Sequence, residues 1–121
     1  MKYVMFYESA DDYLPKARRY GADHRARLEQ THARGLLLAA GPLLDPQDGS
    51  AMGVFTSRQA AEDFVSGDPF VLHGVVRSWR VRPWDEFLTG LTARASAGSG
   101  EPGAAASSLR PASGEPVARA D

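Results

Sequence analysis

Residues 36–56 have the sequence LLLAAGPLLDPQDGSAMGVFT. Within it, residues 45–50 are a cluster of turn-forming types, DPQDGS, that separates the apolar residues on either side. We therefore predict one strand over 36–44 and a second over 51–56. Gly41-Pro42 predicts a bulge or bend within the first of these strands. Two strands thus follow one another in the middle of the chain.

The residues before this segment predict one strand and one long helix. Residues 2–8, KYVMFYE, favour a pleated backbone and are apolar on both faces, so both faces should be covered. After two aspartates, a helix is predicted up to about Arg34, with Pro15 in its first turn and Gly35 placed to end it. Gly21 costs this helix about 1 kcal/mol relative to alanine, and a break there is compatible with the sequence.

The residues after the segment predict a second helix and a last strand. Ser57 is a good N-cap, and it precedes apolar residues at helical spacing, namely Ala60, Ala61, Phe64 and Val65. Gly67 should end this helix, and Asp68 should cap a short turn over 69–74. The last strand is predicted over 75–83.

The predicted elements follow in the order β-α-β-β-α-β. That order is typical of the ferredoxin-like arrangement, an α+β fold in which two helices cover one face of an antiparallel sheet. The opposite sheet face stays bare, and a bare apolar face of that size favours a partner. Because the first strand is apolar on both sides, we expect a homodimer that pairs sheet to sheet.

Composition and charge narrow the classes of function. The chain has 14 Lys and Arg against 15 Asp and Glu, a formal charge of −1. It therefore lacks the basic excess typical of proteins that bind nucleic acid or an acidic membrane. It has no cysteine, which excludes disulfides, thiolate metal sites and cysteine nucleophiles. No apolar run approaches the roughly 18 residues of a membrane span or resembles a signal peptide, so we expect a cytoplasmic protein.

The composition changes near Ala95. From residue 95 to residue 121, 8 Ala, 5 Ser, 4 Gly and 3 Pro make up 20 of 27 residues. Such a segment buries too little apolar surface to offset its ordering entropy. We predict a folded domain over residues 1–94 and a disordered tail over residues 95–121.

His24 lies in the middle of one face of the first predicted helix. At about 100° per residue, the positions within roughly 40° of it are Ala17, Tyr20, Leu28 and Thr31. This stripe should face the sheet. A histidine there is either hydrogen-bonded in the core or placed at the floor of a pocket, and the spacing alone does not separate the two.

Asp68 has two interpretations. It precedes Pro69, and this pair is typical of a helix start, with aspartate as N-cap and proline at the first position. Alternatively, Asp68 points at His24, where it would orient the imidazole tautomer and favour the protonated ring. A carboxylate–imidazole pair is a common acid/base device. The spacing does not show whether the two side chains touch.

Several of these residues resemble one protein family. The segments ADHRARL over 22–28, GLLLAAGPL over 35–43, DPF over 68–70 and GV over 74–75 look like the YCII-related family. The resemblance covers roughly residues 1–88. It rests on the order of the segments, because each segment alone is a weak signal.

The resemblance implies a ferredoxin-like fold that dimerises sheet to sheet into an α/β barrel. It also implies a pocket with a paired histidine and aspartate as the proposed active site, which correspond here to His24 and Asp68. One branch of the family includes chloromuconolactone dehalogenase, and muconolactone isomerase shares the general fold. Most members have no assigned reaction.

Five further residues are candidates for contact with a substrate. They are Tyr7, Gly41, Pro42, Phe70 and His73. Four of them also have an ordinary interpretation: packing for Tyr7, an exposed position for His73, and a strand bend for Gly41-Pro42. His32, near the end of the first helix, complements the helix dipole or is solvated. It lies eight residues, about 12 Å, beyond His24, so we predict no metal site. Trp79 and Trp84 are expected in the core or at a dimer contact.

The sequence supports two functions. The first is a cofactor-independent enzyme of the lyase, isomerase or dehalogenase type, acting on a small organic acid or lactone. His24 would move a proton next to a carbonyl, Asp68 would stabilise the imidazolium, and backbone groups at Gly41-Pro42 would polarise the substrate oxygen. The alternative is a non-catalytic module that binds a metabolite or serves as a dimeric scaffold. A monooxygenase is disfavoured because no feature of the sequence argues for one.

Overall fold

The computed structural model describes residues 1–89. In chain order its elements are β1 (Lys2–Ser9), α1 (Tyr13–Ala33), β2 (Leu37–Pro42), β3 (Ala51–Phe55), α2 (Arg58–Gly67), α3 (Pro69–Leu72) and β4 (Val76–Trp84). With the short α3 in the position of the predicted turn, this is the predicted β-α-β-β-α-β order. The predicted domain boundary at residue 94 and the tail over 95–121 lie outside the described residues.

The four strands form one antiparallel sheet in the order β2-β3-β1-β4. This is the ferredoxin-like topology, and the predicted α+β class is confirmed. Strand β1 lies inside the sheet, where Tyr7 pairs with Ala51 of β3 on one side and with Trp79 of β4 on the other. Both edges of β1 are therefore paired within the sheet.

The helices pack on one face of the sheet, and the core lies between them. Met5 and Tyr7 of β1 point into this layer. Its largest fully buried side chains are Phe55, Phe70, His24, Val65, Val75 and Asp68. Two of these six are polar, a histidine and an aspartate. Buried polar groups of this kind are costly unless they are hydrogen-bonded. Their hydrogen-bond partners therefore define the candidate functional site.

The opposite face of the sheet carries Val4 and Phe6, which alternate with Met5 and Tyr7 along β1. Their neighbours across the strands are Val54, Met52, Arg80 and Arg82. We call these six residues the open face. The Arg80 guanidinium lies over the Phe6 ring, 4.9 Å from the ring centroid. No described helix covers this face, as the β-α-β-β-α-β order predicts.

The predicted bulge at Gly41-Pro42 is wrong. Both residues pair regularly with β3, Gly41 with Met52 and Pro42 with Ala51, and the register shift lies between Leu37 and Ala39 instead. Strand β2 is an edge strand, where a proline without an N–H is tolerated because one side of the strand has no ladder to complete.

Helix α1 continues through Gly21, so the break that the sequence allowed does not occur. Gly21 is buried on the same stripe as Ala17 and His24. Packing of that stripe against the rest of the protein outweighs the roughly 1 kcal/mol propensity cost of the glycine. Ser57 caps α2 as predicted, accepting a hydrogen bond from the Ala60 N–H at 3.0 Å.

The tryptophans are not in the core. Trp79 is 43% exposed and Trp84 is 46% exposed. They were expected in the core or at a dimer contact, and the dimer contact stays a prediction. Val75 and Val76 are both buried, although strict alternation predicts opposite faces. The pairing of β4 with β1 shifts between Glu8 and Ser9, and this irregularity brings both valines to the core side. Within residues 1–89, no helix is long and apolar enough to cross a bilayer.

Candidate active site

His24 is held in the core by its place on α1. The buried residues of that helix are Ala17, Gly21, His24 and Thr31, whose spacings of three, four and seven keep them on one face. The wheel prediction for His24 is therefore confirmed. The imidazole is only 1% exposed.

Asp68 satisfies both of its interpretations at once. Its Oδ1 accepts a hydrogen bond from the Phe70 N–H at 3.1 Å, which makes it the N-cap of α3. The same Oδ1 lies 2.6 Å from Nδ1 of His24. A carboxylate oxygen has more than one lone-pair site, so one oxygen serves the cap and the imidazole together. The side chain is fully buried.

Tyr7 provides the third hydrogen bond to this carboxylate. Its hydroxyl donates to Oδ2 of Asp68 at 2.7 Å. The carboxylate therefore accepts from a phenol, from a backbone N–H and from the His24 ring, and its orientation is fixed by three elements, β1, α3 and α1. A buried carboxylate without such donors would be strongly unfavourable. Tyr7 was a candidate from the sequence, but its partner lies 61 residues away, beyond the reach of any local pattern.

The pattern of donors determines the tautomer of His24. Because the Asp68 oxygen accepts, the ring donates through Nδ1–H, and in the neutral ring Nε2 is then the basic nitrogen. In an acid/base pair of this kind the carboxylate orients one ring nitrogen, and the other nitrogen is the one that transfers a proton.

Two phenylalanines shape the surroundings of the imidazole. The Phe70 ring is stacked parallel on His24 with 3.9 Å between centroids. Phe64 of α2 presents an edge-on contact at 6.3 Å. Phe70 thus contacts the candidate histidine through its side chain and Asp68 through its backbone N–H. The predicted contact of Phe70 with a substrate stays a prediction.

His73 lies at the end of α3, where it stacks on Tyr20 of α1 with 4.0 Å between ring centroids. Tyr20 is one turn before His24, and His73 is three residues after Phe70. The two helices therefore contact each other through two parallel ring pairs, one buried and one at the surface. His32 also lies away from the pair, and its Nδ1 is 2.8 Å from the Leu37 carbonyl oxygen.

Gly41 and Pro42 are not brought to the pair. Pro42 lies in the same register row as Tyr7 but two strands away, with Ala51 between them. Strand spacing places these backbones about 10 Å apart. The expectation that this bend polarises a substrate oxygen beside His24 therefore loses its structural basis. Among residues 1–89, no three His, Cys, Asp or Glu side chains are grouped so that they could hold a metal ion.

A cleft of about 390 Å³ lies on the sheet beside Tyr7. Its walls include Phe6, Glu8, Leu43, Trp79 and Arg80. Glu8 accepts a hydrogen bond from the Ser78 hydroxyl at 2.8 Å, and Arg77 lies 3.3 Å from its other oxygen. These two neighbours, Ser78 first, hold the pKa of Glu8 below its ordinary value. The alternation of polar residues on β4 was the available signal for this cleft.

Comparison with known proteins shows the family of this chain. The YCII-related domain matches residues 1–85. The chain belongs to the YCII-related domain family. The resemblance carried by the segments around His24, Gly41-Pro42 and Asp68 is thereby confirmed.

Curated members of the YCII-related family are similar over the same part of the chain. Protein YciI of Escherichia coli O6:H1 is 34% identical over 94 residues, which cover 69% of this chain and 96% of the relative. An uncharacterized protein of Haemophilus influenzae has the same identity and coverage.

One solved structure has a clearly similar fold. It is the 5-chloro-2-hydroxyhydroquinone dehydrochlorinase of Burkholderia phenoliruptrix AC1100, in complex with 2,5-dihydroxybenzoquinone. The TM-score is 0.60 at 22% identity, and the match covers 71% of this chain and 95% of the dehydrochlorinase. This likeness supports the ferredoxin-like fold of the YCII-related chain.

Proposed function

We propose that this YCII-related protein is a small enzyme of the lyase or isomerase type that transfers a proton next to a carbonyl group. The observation that carries the proposal is the 2.6 Å contact between Nδ1 of His24 and Oδ1 of Asp68, both buried. A carboxylate–imidazole pair in a site that excludes water is a standard arrangement for general acid–base catalysis.

In this mechanism His24 acts first as base and then as acid. Nε2 removes a proton from the carbon beside the substrate carbonyl, and the electron pair of the C–H bond moves toward the carbonyl oxygen. The imidazolium that forms is stabilised by Asp68 through Nδ1–H. The proton then returns to a different carbon in an isomerisation, or a leaving group departs with the electron pair in an elimination. These steps use groups of the chain itself.

Tyr7 and the Phe70 N–H support the pair by holding the carboxylate. Each hydrogen bond to a charged group stabilises it by about 1.5–3 kcal/mol. With both donors in place, Asp68 cannot rotate away when the charge on His24 changes. The reaction then needs little reorganisation of the protein, which is the general advantage of preorganised polar groups.

The substrate class that we propose is a small organic acid, a lactone or a related carbonyl compound. The name of the similar dehydrochlorinase describes loss of HCl from a chlorinated hydroxyhydroquinone. Elimination of HCl couples the removal of a proton to the departure of chloride, which is within the chemistry of a His–Asp pair. Hydroxylated and chlorinated rings therefore belong in the first set of compounds to be tested.

We propose further that two copies pair through their open faces to give a dimeric α/β barrel. Val4, Phe6 and Met52 form an apolar centre there, beside a groove of about 350 Å³ that also includes Trp84. Phe87 and Leu88, directly after β4, are 87% and 84% exposed. Apolar area of this kind is typical of a surface that a partner covers. A second copy offers the same surface, as a two-fold interface requires.

The second candidate function is a non-catalytic module that binds a metabolite. Two observations favour it. The imidazole of His24 and the carboxylate of Asp68 are 1% and 0% exposed, as a structural pair would be. The cleft of about 390 Å³ has the size of a small-molecule site. Two of its lining residues, Phe6 and Arg80, belong to the open face, which is on the side of the sheet opposite to the His24–Asp68 pair.

Deuterium incorporation separates the two candidates. Muconolactone, its chlorinated derivative and 5-chloro-2-hydroxyhydroquinone would be incubated with the protein in D₂O and followed by proton NMR. An enzyme of the proposed type exchanges or eliminates at the carbon beside the carbonyl. We expect His24→Gln and Asp68→Asn to slow this by about 10²–10⁴-fold, while His32→Gln, a matched change on the same helix, leaves it unchanged.

Two outcomes would reject the enzymatic proposal. One is a conversion that proceeds equally in folded His24→Gln. The other is binding of these compounds, seen by chemical-shift changes in the cleft around Trp79 and Arg80, without exchange or conversion at any pH from 5 to 9. The second outcome would establish the binding module.

A further inference from the structure

Arg27 connects the helix that carries His24 to the corner that carries Asp68. Its Nε–H donates to the Phe64 carbonyl oxygen at 3.1 Å, and its Nη2 donates to the Asp63 carbonyl oxygen at 2.9 Å. Both acceptors lie near the end of α2. The Phe64 carbonyl is one of the last four of that helix, which have no partner within the helix itself. The planar guanidinium donates to this carbonyl and, at the same time, to the carbonyl of Asp63, one residue earlier.

The corner between α2 and α3 is built around this guanidinium. Helix α2 ends at Gly67, and Asp68 follows as the N-cap of α3. A Cβ added at Gly67 would lie 2.5 Å from Nη2 of Arg27 and 2.8 Å from its Cζ, which is closer than side-chain atoms approach. The absence of a side chain at position 67 is therefore what lets Arg27 lie directly against the residue before Asp68.

Arg27 and His24 lie three residues apart on α1, so they are neighbours on one helix face. The same rigid helix thus holds the imidazole through His24 and the backbone before Asp68 through Arg27. The guanidinium also lies 5.4 Å from the centroid of Phe64, and Phe64 contacts the edge of His24. Movement of the α2 end would shift Asp68 and Phe64 together.

We propose that Arg27 is a positioning residue that sets the geometry of the His24–Asp68 pair, with Gly67 providing the space that it needs. This inference rests on the proposed function only for the catalytic use of the pair. The effect of Arg27 on the geometry of the pair is measurable without any substrate. Arg27 acts through backbone carbonyls, so lysine, with a single ammonium group in place of the guanidinium fork, does not replace it.

The test is the NMR signature of the His24 ring in the full chain. In the wild-type protein, the buried Nδ1–H donated to Asp68 should give a proton resonance that exchanges slowly with water, and the two ring nitrogens should have distinct ¹⁵N shifts. We expect Arg27→Ala to abolish the slow Nδ1–H resonance and to move the two ¹⁵N shifts toward each other. Gly67→Ala should do the same with the arginine still present.

Arg25→Ala is the matched control. Arg25 is on the same helix, exposed, and pairs with Glu29 one turn on, at 3.4 Å. This variant should keep the wild-type signals of His24. If Arg27→Ala does not fold, Arg27→Lys and Gly67→Ala decide the question. We expect both to lose the slow resonance, while thermal unfolding reports their stability separately.

The inference is overturned if folded Arg27→Lys and Gly67→Ala are less stable than the wild type but retain its His24 signals, because Arg27 is then a purely structural residue. A failure of the proposed function would look different. In that case the variants lose the resonance as expected, while no compound is exchanged or converted even by the wild type.

Discussion

Asp68 shows how one side chain can be both a helix cap and the partner of a buried imidazole. As an N-cap it needs only one oxygen lone pair for the Phe70 N–H, and the remaining acceptor capacity receives His24 and Tyr7. The two interpretations that the sequence left open as alternatives are therefore compatible. A residue with a complete local explanation can still be the centre of a buried hydrogen-bond network.

Glu8 is a carboxylate for which the structure predicts a pH response. The Ser78 hydroxyl and the charge of Arg77 lower the pKa of Glu8 from its ordinary value of 4.5. Its ionised form therefore favours the folded state above about pH 4.5, and this contribution is lost as the pH falls through the lowered pKa. We expect Ser78→Ala to raise the pKa of Glu8 toward the ordinary value, as followed by ¹³C NMR titration of the side-chain carboxyl.

Ser66→Ala is the control for this change. Ser66 is exposed on α2 and donates to a carbonyl of the same helix, so the titration of Glu8 should not move. An unchanged pKa of Glu8 in Ser78→Ala would show that the charges of Arg77 and Arg80, and not the Ser78 hydroxyl, are responsible for its lowering.

The elements differ in how far their positions were predictable. The starts of α2 and α3 each follow from a capping side chain, Ser57 or Asp68, that accepts a hydrogen bond from an N–H within the next three residues. Both caps were predicted. The stripe of α1 also follows from its own spacing. The site depends on contacts between elements, and local spacing alone does not predict these. Tyr7 and Arg27 reach partners 61 and 36–37 residues away, and no local pattern encodes those distances.

The error in β2 has the same origin. Gly41-Pro42 has the local composition of a bulge, but the pairing with β3 decides the register. The ladder continues regularly across both residues because β2 is an edge strand. Local composition therefore predicts where an irregularity is tolerated, while the neighbouring strand determines where it occurs.

The connection between β2 and β3 depends on Gly49. Its φ is +90°, and an added Cβ would lie 2.6 Å from Cβ of Ser9. The Ser9 hydroxyl also donates to the Gly49 carbonyl oxygen. We expect Gly49→Ala to lower the free energy of unfolding by about 1–2 kcal/mol for the left-handed backbone and by a further roughly 1–3 kcal/mol for the displacement of Ser9.

Gly35→Ala separates these two contributions. Gly35 has a similar φ of +79°, but nothing lies within 4 Å of its added Cβ. Urea unfolding should therefore show a smaller loss for Gly35→Ala than for Gly49→Ala, at an unchanged m-value. Equal losses in the two variants would mean that Ser9 moves aside without cost and that the hairpin is not held by this contact.

A ferredoxin-like sheet with helices on one side has two apolar surfaces but covers only one of them by itself. In the described part of the chain, the helix layer buries Met5 and Tyr7, while Phe6 and Met52 remain partly exposed on the open face. A domain of this size buries only about 60–65% of the surface of its unfolded chain. Pairing of two open faces would add apolar burial at the place where the single chain lacks it.

Met52 and Leu14 provide a direct test of this pairing. We expect Met52→Glu to convert a wild-type dimer into a monomer in sedimentation-velocity experiments at micromolar concentration. A two-fold axis through the face would bring two copies of the new carboxylate into a desolvated interface, where unpaired charges are strongly unfavourable. Leu14→Glu, an equivalent change on the exposed side of α1, should leave the dimer intact. A monomeric wild type, or a Met52→Glu dimer of undiminished affinity, would contradict pairing through the open face. Dissociation by Leu14→Glu alone would instead place the contact on the helix layer.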